Sequence, residues 1–262
     1  MAVKPIKRAR KKYNAGGNTY NSRSGSKEFY AGGRNDQRRL TNQRSALAKD
    51  ISEMMTANRH KMMLCDARYI YQSFSSVAGA VDQRSNYVYG GSWRLQSISQ
   101  DQDFAKAVEE DFKTLDHAFD IRGVNFSLRK SIWRASKTLD VDGDFFAILT
   151  EQEDTGFPKI QFVEAHQVGD WGDVSGGYVN DSTAYAGLKI CAGVILDDYN
   201  APVAYRVKDD DRPRGFQDVP ARSVVHFLDT KWFTQTRGQP SIAAAVLDWY
   251  DLSETRDAQK VK

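Results

Sequence analysis

The apolar residues between positions 40 and 140 recur every three or four places, which is the spacing of one face of an α-helix. Residues that can cap or end a helix divide this stretch into four predicted helices, at 40–58, 66–87, 101–123 and 127–140. Asp66 is the predicted N-cap of the second. The third is predicted to follow Ser99 or Asp101, and the fourth to start around Phe126 and Ser127. The second helix presents one apolar stripe through Ile70, Phe74, Val77, Ala78 and Val81. The fourth is predicted to bury Leu128, Ile132, Ala135 and Leu139.

Beyond Asp140 the pattern changes to short apolar runs rich in β-branched and aromatic residues, separated by turns. Strands are predicted at 145–150, 159–163 (with Ile160 and Phe162 turned inward), 190–196, 203–207 and 223–228. The turn at 197–200 joins the third and fourth strands into a β-hairpin, and Pro240 suits the first turn of a last helix. The predicted fold class is α+β, with N-terminal helices followed by a mainly antiparallel sheet and a closing helix.

Residues 1–40 differ from the rest of the chain in composition and charge. They carry a net charge of +9, so the total of +3 leaves −6 for residues 41–262. Their apolar residues are few and show no period, and such a segment cannot bury enough surface to offset the entropy of ordering it. We predict a flexible basic arm at 1–40 and an α+β domain at 41–262, with helices at 41–140, a β-rich part at 141–230 and a helix at 239–262.

The charge of the arm has two interpretations, and the composition favours neither. The arm contacts nucleic acid or an acidic partner, or it is a solvated tail. The candidate contact residues are Lys4, Lys7, Arg8, Arg10, Lys11 and Lys12. No apolar run in the sequence approaches the roughly 20 residues that span a bilayer, and no apolar segment follows the basic start as a secretory signal would require. Cys65 and Cys191 are far apart in the sequence and are predicted to be reduced packing residues.

The densest acidic cluster is formed by Asp140, Asp142 and Asp144, with Gly143 between the last two. The glycine lies one place too early for a calcium loop and the closing glutamate is wrongly spaced, so a helix-to-strand turn is favoured. The four histidines lack metal-ligand spacing; they are His60, His117, His166 and His226. Neither a nucleophile elbow nor a phosphate-binding glycine loop follows a strand. We therefore predict no catalytic residue, no metal site and no cofactor.

Five short motifs stand in order over residues 66–257. They are Tyr87-Val88-Tyr89-Gly90-Gly91 after a helix, Asp142-Gly143-Asp144-Phe145-Phe146, the segment 160–165, the hairpin 193–205, and Val225-His226-Phe227-Leu228 followed by Gln235-Thr236-Arg237-Gly238. Each is weak alone, but together they resemble the lambda-type family of phage portal proteins. The motif residues expected to be structurally important are Gly90, Gly91, Asp142, Gly143, Asp144, Gly193, Asp197, Pro202, Tyr205, His226, Arg237 and Gly238. Asn200-Ala201 replaces the glycine that is usual in the hairpin.

The resemblance implies the wing-like outer portion of a homo-oligomeric ring of about twelve subunits at one vertex of a phage capsid. Such a ring is found in the virion, and in the host cytoplasm during assembly. Double-stranded DNA would pass through it during packaging and ejection. Its partners would be the terminase large subunit, capsid or scaffold proteins and head-tail connector proteins, with no membrane contact. Family chains are longer, so we expect this one to be truncated before the stem and channel-lining elements.

Two other classes of protein remain open from the residues alone. One is a metal-dependent DNA-processing enzyme, in which Asp140, Asp142 and Asp144 would hold the metal. The other is a nucleic-acid-binding module that acts through residues 1–40. The acidic body suits a channel better than either, because each neutralised phosphate adds affinity that would hinder the sliding of DNA.

Overall fold

The structure, a computed structural model, describes residues 51, 55–90, 96–123, 127–151, 156–209 and 215–260. The predicted arm at 1–40, with its six candidate contact residues, lies outside these ranges, as does most of the helix predicted at 40–58. Among the described residues no helix is long and apolar enough to cross a membrane.

Helices come first in the described chain, strands follow, and a helix closes it, which confirms the predicted α+β class. The α-helices are α1 (Ala57–Ser73), α2 (Ser75–Tyr89), α3 (Gln102–Ala118), α4 (Leu128–Val141) and α5 (Val246–Lys260). The strands are β1 (Asp144–Glu151), β2 (Pro158–Glu164), β3 (Val174–Ser175), β4 (Tyr178–Val179), β5 (Lys189–Cys191), β6 (Val194–Leu196), β7 (Pro202–Asp209), β8 (Gly215–Pro220) and β9 (Val224–Leu228).

Two helices start where the sequence predicts and one does not. Asp101 caps α3 by accepting from the amides of Asp103 and Phe104, and Ser127 caps α4 by accepting from that of Lys130. The prediction of Asp66 as an N-cap was wrong. Helix α1 has Thr56 as its N-cap, ten residues earlier, and it runs through Asp66. The chain turns instead at Phe74, whose extended backbone (φ −116°) separates α1 from α2.

The predicted stripe is therefore split between two helices, yet its parts meet again in one cluster. Ile70 from α1 and Val77 and Val81 from α2 pack with Val141 and Val246, while Phe74 is only partly buried. The predicted buried face of α4 was largely wrong. Its most buried residues are Ser131, Asp140 and Val141, and the four predicted ones are half-buried.

The strands form two antiparallel sheets rather than one, a three-stranded sheet in the order β2-β1-β9 and a six-stranded sheet in the order β3-β4-β5-β6-β7-β8. The strand predicted at 190–196 is a hairpin, because Ala192 (φ 48°) and Gly193 (φ 88°) make a tight turn between β5 and β6. Left-handed values at both central residues match a type I′ turn. Strands β3, β4 and β8 were not predicted.

The main core lies between the two sheets. Phe146 and Val163 from the three-stranded sheet pack against Val194, Leu196 and Tyr205 from the other. The inward residue of β2 is thus Val163, whereas Ile160 and Phe162 point to the opposite face and are half-buried. This packing brings the start of β1 beside the segment that leads from β9 to α5.

Candidate functional site

The three aspartates of the acidic segment each bind a different arginine. Asp140 Oδ1 accepts from Arg84 Nη1 at 2.6 Å, and Asp142 accepts from Arg68 Nε and Nη2 at 2.7 and 2.6 Å. Asp144 binds Arg237, which is 93 residues further along the chain. These pairs tie the end of α4 and the start of β1 to α1, to α2 and to the segment before α5.

Arg237 uses every N–H group of its guanidinium as a donor. Its Nε donates to Asp144 Oδ2 at 2.7 Å and its Nη2 to Oδ1 at 3.2 Å. The remaining donors reach the carbonyls of Ala165 (2.8 Å), Val168 (2.9 Å) and Ala192. Arg237 is 1% exposed and Asp144 is fully buried. We call this site, formed by Asp144, Arg237, Gly238 and His226, the arginine junction.

The carboxylate of Asp144 is fully bonded as well. Oδ2 accepts from the Gly238 amide at 2.7 Å and lies 3.2 Å from His226 Nε2. Burial alone would raise the pKa of Asp144, but the charge of Arg237 and the hydrogen bond from His226 hold it well below its usual range. The junction is therefore a buried, ionised pair with its hydrogen bonds satisfied, and such a pair is rigid but costly to open.

Two glycines let the chain segments approach closely enough for these contacts. A Cβ added to Gly238 would lie 2.0 Å from the carbonyl oxygen of Gly143. A Cβ on Gly143, whose φ is +87°, would lie 2.4 Å from the carbonyl carbon of Gln239. No side chain fits at either position without backbone movement.

Two histidines with little exposure lie at this site, His226 within the junction and His60 beside it. The ring of His226 stacks on Phe146 with centroids 4.3 Å apart, and burial lowers the pKa of His226. It is therefore neutral near pH 7 and donates Nε2–H to the ionised Asp144. Burial, with Arg237 nearby, also lowers the pKa of His60 to about 3. His60 Nε2 has no hydrogen-bond partner among the described residues.

A second, more exposed network lies beside the junction. Arg68 Nη2 also donates to Glu164 Oε2 at 2.8 Å, and His166 Nδ1 lies 3.3 Å from the same oxygen. The hydrogen bond from His166, with the help of Arg68, lowers the pKa of Glu164 to about 2. Burial raises the pKa of Asp142, although Arg68 opposes this.

Comparison with known families matches residues 37–262 to the family described as phage portal protein, lambda family. This match covers most of the chain. The chain belongs to the lambda family of phage portal proteins. No curated protein matches it.

In this portal protein, motif residues that are distant in sequence meet at one place. Gly143 and Asp144 come from one motif, His226, Arg237 and Gly238 from another. Gly193 (φ +88°) lies in the turn whose Ala192 carbonyl accepts from Arg237, and a Cβ there would be 2.4 Å from the Gly169 nitrogen. Most of the family-motif residues thus lie in or beside the arginine junction.

The other motif residues of the portal chain have local roles. Gly90 ends α2 in a left-handed conformation, and Gly91 lies outside the described residues. The carboxylate of Asp197 accepts from the amides of Tyr199 and Ala201, both at 2.8 Å, which closes the turn before β7. Pro202 begins β7, and Tyr205 packs edge-on against His226 at 5.5 Å.

Sequence reasoning missed a second buried arginine, Arg206 of β7. It is fully buried, it binds Asp218 Oδ1 through Nε at 2.7 Å and Asp181 Oδ2 through Nη1 at 2.6 Å, and it lies over the Phe216 ring. A signal was present: a single arginine between Tyr205 and Val207 in an apolar strand must find a partner, since an unpaired buried charge is prohibitively costly. The partners themselves are not predictable from spacing.

The site is suited to holding segments together rather than to chemistry. A general acid or base must reach a substrate, and Asp144, Arg237 and His60 are enclosed by protein. The three carboxylates of the acidic segment accept hydrogen bonds from arginines. Within the described ranges, no group of three or more acidic, histidine or cysteine side chains could hold a metal ion.

Proposed function

We propose that this portal chain is a structural subunit of a ring at one vertex of a phage capsid, through which double-stranded DNA is packaged and ejected. The observation that carries the proposal is the family match over residues 37–262. The proposed assembly places the protein in the virion and, before that, in the cytoplasm of the host. It has the terminase large subunit, capsid or scaffold proteins and head-tail connector proteins as partners.

The arginine junction supports a mechanical role. It joins the start of β1 to the segment before α5, and through the carbonyls of Ala165, Val168 and Ala192 it also holds both sheets. Because a buried charged network has few alternative arrangements, it resists deformation. A ring subunit that bears the load of DNA packaging needs such a body, which we propose to be the wing-like α+β domain at 41–262.

The metal-dependent nuclease is the less favoured alternative. Its three candidate aspartates accept hydrogen bonds from Arg84, Arg68 and Arg237. A cation would have to displace guanidinium groups from three nearly inaccessible carboxylates. We expect no magnesium-dependent cleavage of DNA, and no difference between the wild type and Asp142→Asn in such an assay. Cleavage that disappears in Asp142→Asn would favour the enzyme.

The ring is tested by the mass of the purified full chain, measured by native mass spectrometry, together with negative-stain microscopy. We expect particles of about twelve subunits with a central hole. A protein that stays monomeric at high concentration and low salt would overturn the proposed ring. Arg237→Lys, which weakens the junction, should reduce the yield of rings, whereas the exposed substitution Arg84→Lys should not.

A further inference from the structure

The outer face of the three-stranded sheet carries apolar side chains that are only partly covered. The ring of Phe227 stacks on Phe145 with centroids 4.6 Å apart, and Phe145 lies 6.1 Å from Phe162. Beside this row, Leu149 is 50% exposed, and Phe227 itself is 42% exposed. With Val225, which is 41% exposed, these residues form what we call the phenylalanine face. Its exposure marks it as a contact surface.

Basic side chains border this face along α4. Arg122 and Arg134 line a cleft whose floor includes Phe145 and Phe162. Helix α4 has a net charge of +3, from Arg129, Lys130, Arg134 and Lys137 against Asp140. Three basic residues of this border have acidic partners in their own chain: Arg122 is paired with Asp120, Arg129 with Asp116 and Lys137 with Asp82. Glu164 also lines the cleft, but its carboxylate is bonded to Arg68 and His166. Ser131, also in the cleft, has a buried Oγ with no hydrogen-bond partner among the described residues.

Helix α3 presents a complementary surface on the same chain. Phe104, Val108 and Phe112 are four residues apart and form what we call the α3 stripe, in which Phe104 is 58% exposed. Glu109 and Asp111, each three residues from a member of the stripe, border it. The helix has a net charge of −3, with five acidic residues against two lysines.

The α3 stripe cannot fully cover the phenylalanine face of its own subunit. The C-terminal end of α3 is held by Phe119, whose ring lies 6.0 Å from Phe162, and by the pair of Asp116 with Arg129 at 3.6 Å. Phe104 is fifteen residues before Phe119, which at the rise of an α-helix places it about 22 Å away along the axis. The exposed end of the stripe therefore lies far from the end of α3 that is held to its own face.

We infer that the α3 stripe of one subunit packs on the phenylalanine face of a second copy of this chain, an inference that rests on the proposed ring. The two surfaces are different in shape and opposite in charge, so the contact is head-to-tail rather than two-fold symmetric. Head-to-tail contacts generate rings when the rotation closes. The acidic border of the stripe meets the basic border of the face, which sets register and suppresses wrong pairings.

The test uses two variants of the full chain. The stripe variant is Phe104→Gln with Val108→Gln, which keeps good helix formers in α3. The face variant is Val225→Thr with Phe227→Thr, which keeps β-branched residues in β9. The matched controls change exposed apolar residues elsewhere: Val88→Gln in α2 and Tyr199→Thr in a turn. Circular dichroism establishes that all variants fold.

Native mass spectrometry should find each double variant as a monomer and both controls as rings. An equimolar mixture of the two double variants should form dimers and nothing larger, because only one of the two possible contacts between them joins two intact surfaces. Rings from either double variant alone would overturn the inference and leave the proposed function standing. A wild-type chain that forms no ring would instead remove the proposed function, and this inference with it.

Cross-linking gives an independent measurement of the same contact. Phe104→Cys and Phe227→Cys, combined in a Cys65→Ser background, should form a disulfide between subunits under mild oxidation, since Cys191 is buried. Phe104→Cys combined with Tyr199→Cys is the matched control and should give no more than background cross-linking. Equal cross-linking in the two proteins would contradict the contact.

Discussion

Replacing Arg237 by lysine measures what the buried junction contributes to stability. Lysine keeps the charge but cannot reach Asp144 and the carbonyls of Ala165, Val168 and Ala192 at once. We expect the free energy of unfolding to fall by about 3 kcal/mol, because buried acceptors lose their donors. Arg84→Lys changes an arginine whose side chain is 64% exposed, and it should cost about 1 kcal/mol or less. Urea unfolding measures the free energy of unfolding of both variants. Equal losses of stability would argue against a special role for Arg237.

Gly238 tests the close approach of the two segments. An alanine there places its Cβ 2.0 Å from the Gly143 oxygen, so the backbone must move and the junction with it. We expect Gly238→Ala to lower the melting temperature severely. Gly79→Ala is the control, since nothing lies within 4 Å of a Cβ at that position of α2; it should raise stability by about 0.5–1 kcal/mol. A Gly238→Ala protein as stable as the wild type would contradict the geometry.

His60 predicts how stability changes with pH. Its pKa is lowered to about 3 in the folded protein, whereas the unfolded side chain titrates near 6.5. The unfolded state therefore binds more protons, so the stability contributed by neutral His60 is complete above about pH 6.5 and is lost as the pH falls toward 3. His60→Leu should flatten the curve of unfolding free energy by about 1.4 kcal/mol per pH unit between about pH 6 and 4. An unchanged slope in urea titrations across this range would show that His60 is not neutral in the folded protein.

At the scale of elements, prediction worked where the signal was local. Asp101 and Ser127 cap their helices with contacts that span two or three residues, so the sequence alone could locate these helix starts. The strand at 190–196 was misassigned because Ala192 accepts a left-handed φ of 48°, which is unusual without glycine. The arginine junction could not be predicted from local sequence, because its residues are far apart in the chain and meet only in the folded protein. Family motifs marked its residues without indicating that they touch.

Arg206 joins a different set of elements from those that the arginine junction joins. It bonds to Asp218 of β8 and to Asp181 and Trp171 of the segment that surrounds β3 and β4. We expect Arg206→Leu to leave these carboxylates without their partner and to loosen the edge of the six-stranded sheet. Hydrogen exchange should become faster at 170–183 and 215–220, while β1 and the arginine junction stay protected. Uniform acceleration through both sheets would mean that Arg206 supports the whole fold instead.

At the scale of the whole molecule, charge separates an N-terminal segment from an acidic body, and this predicts where DNA binds. Deleting residues 2–39 removes all of the +9 and leaves a chain of net charge −6. We expect salt-sensitive DNA binding to be lost in this variant, because each phosphate contact contributes about 0.9 to the slope of log affinity against log salt. A full-length control with Lys4, Lys7, Arg8, Arg10, Lys11 and Lys12 changed to glutamine tests charge without changing length, and it should lose most of that slope. Fluorescence anisotropy with a duplex at several salt concentrations measures both. If the deletion variant kept the affinity and slope of the wild type, DNA would have to contact the body, and the basic segment would serve a protein partner instead.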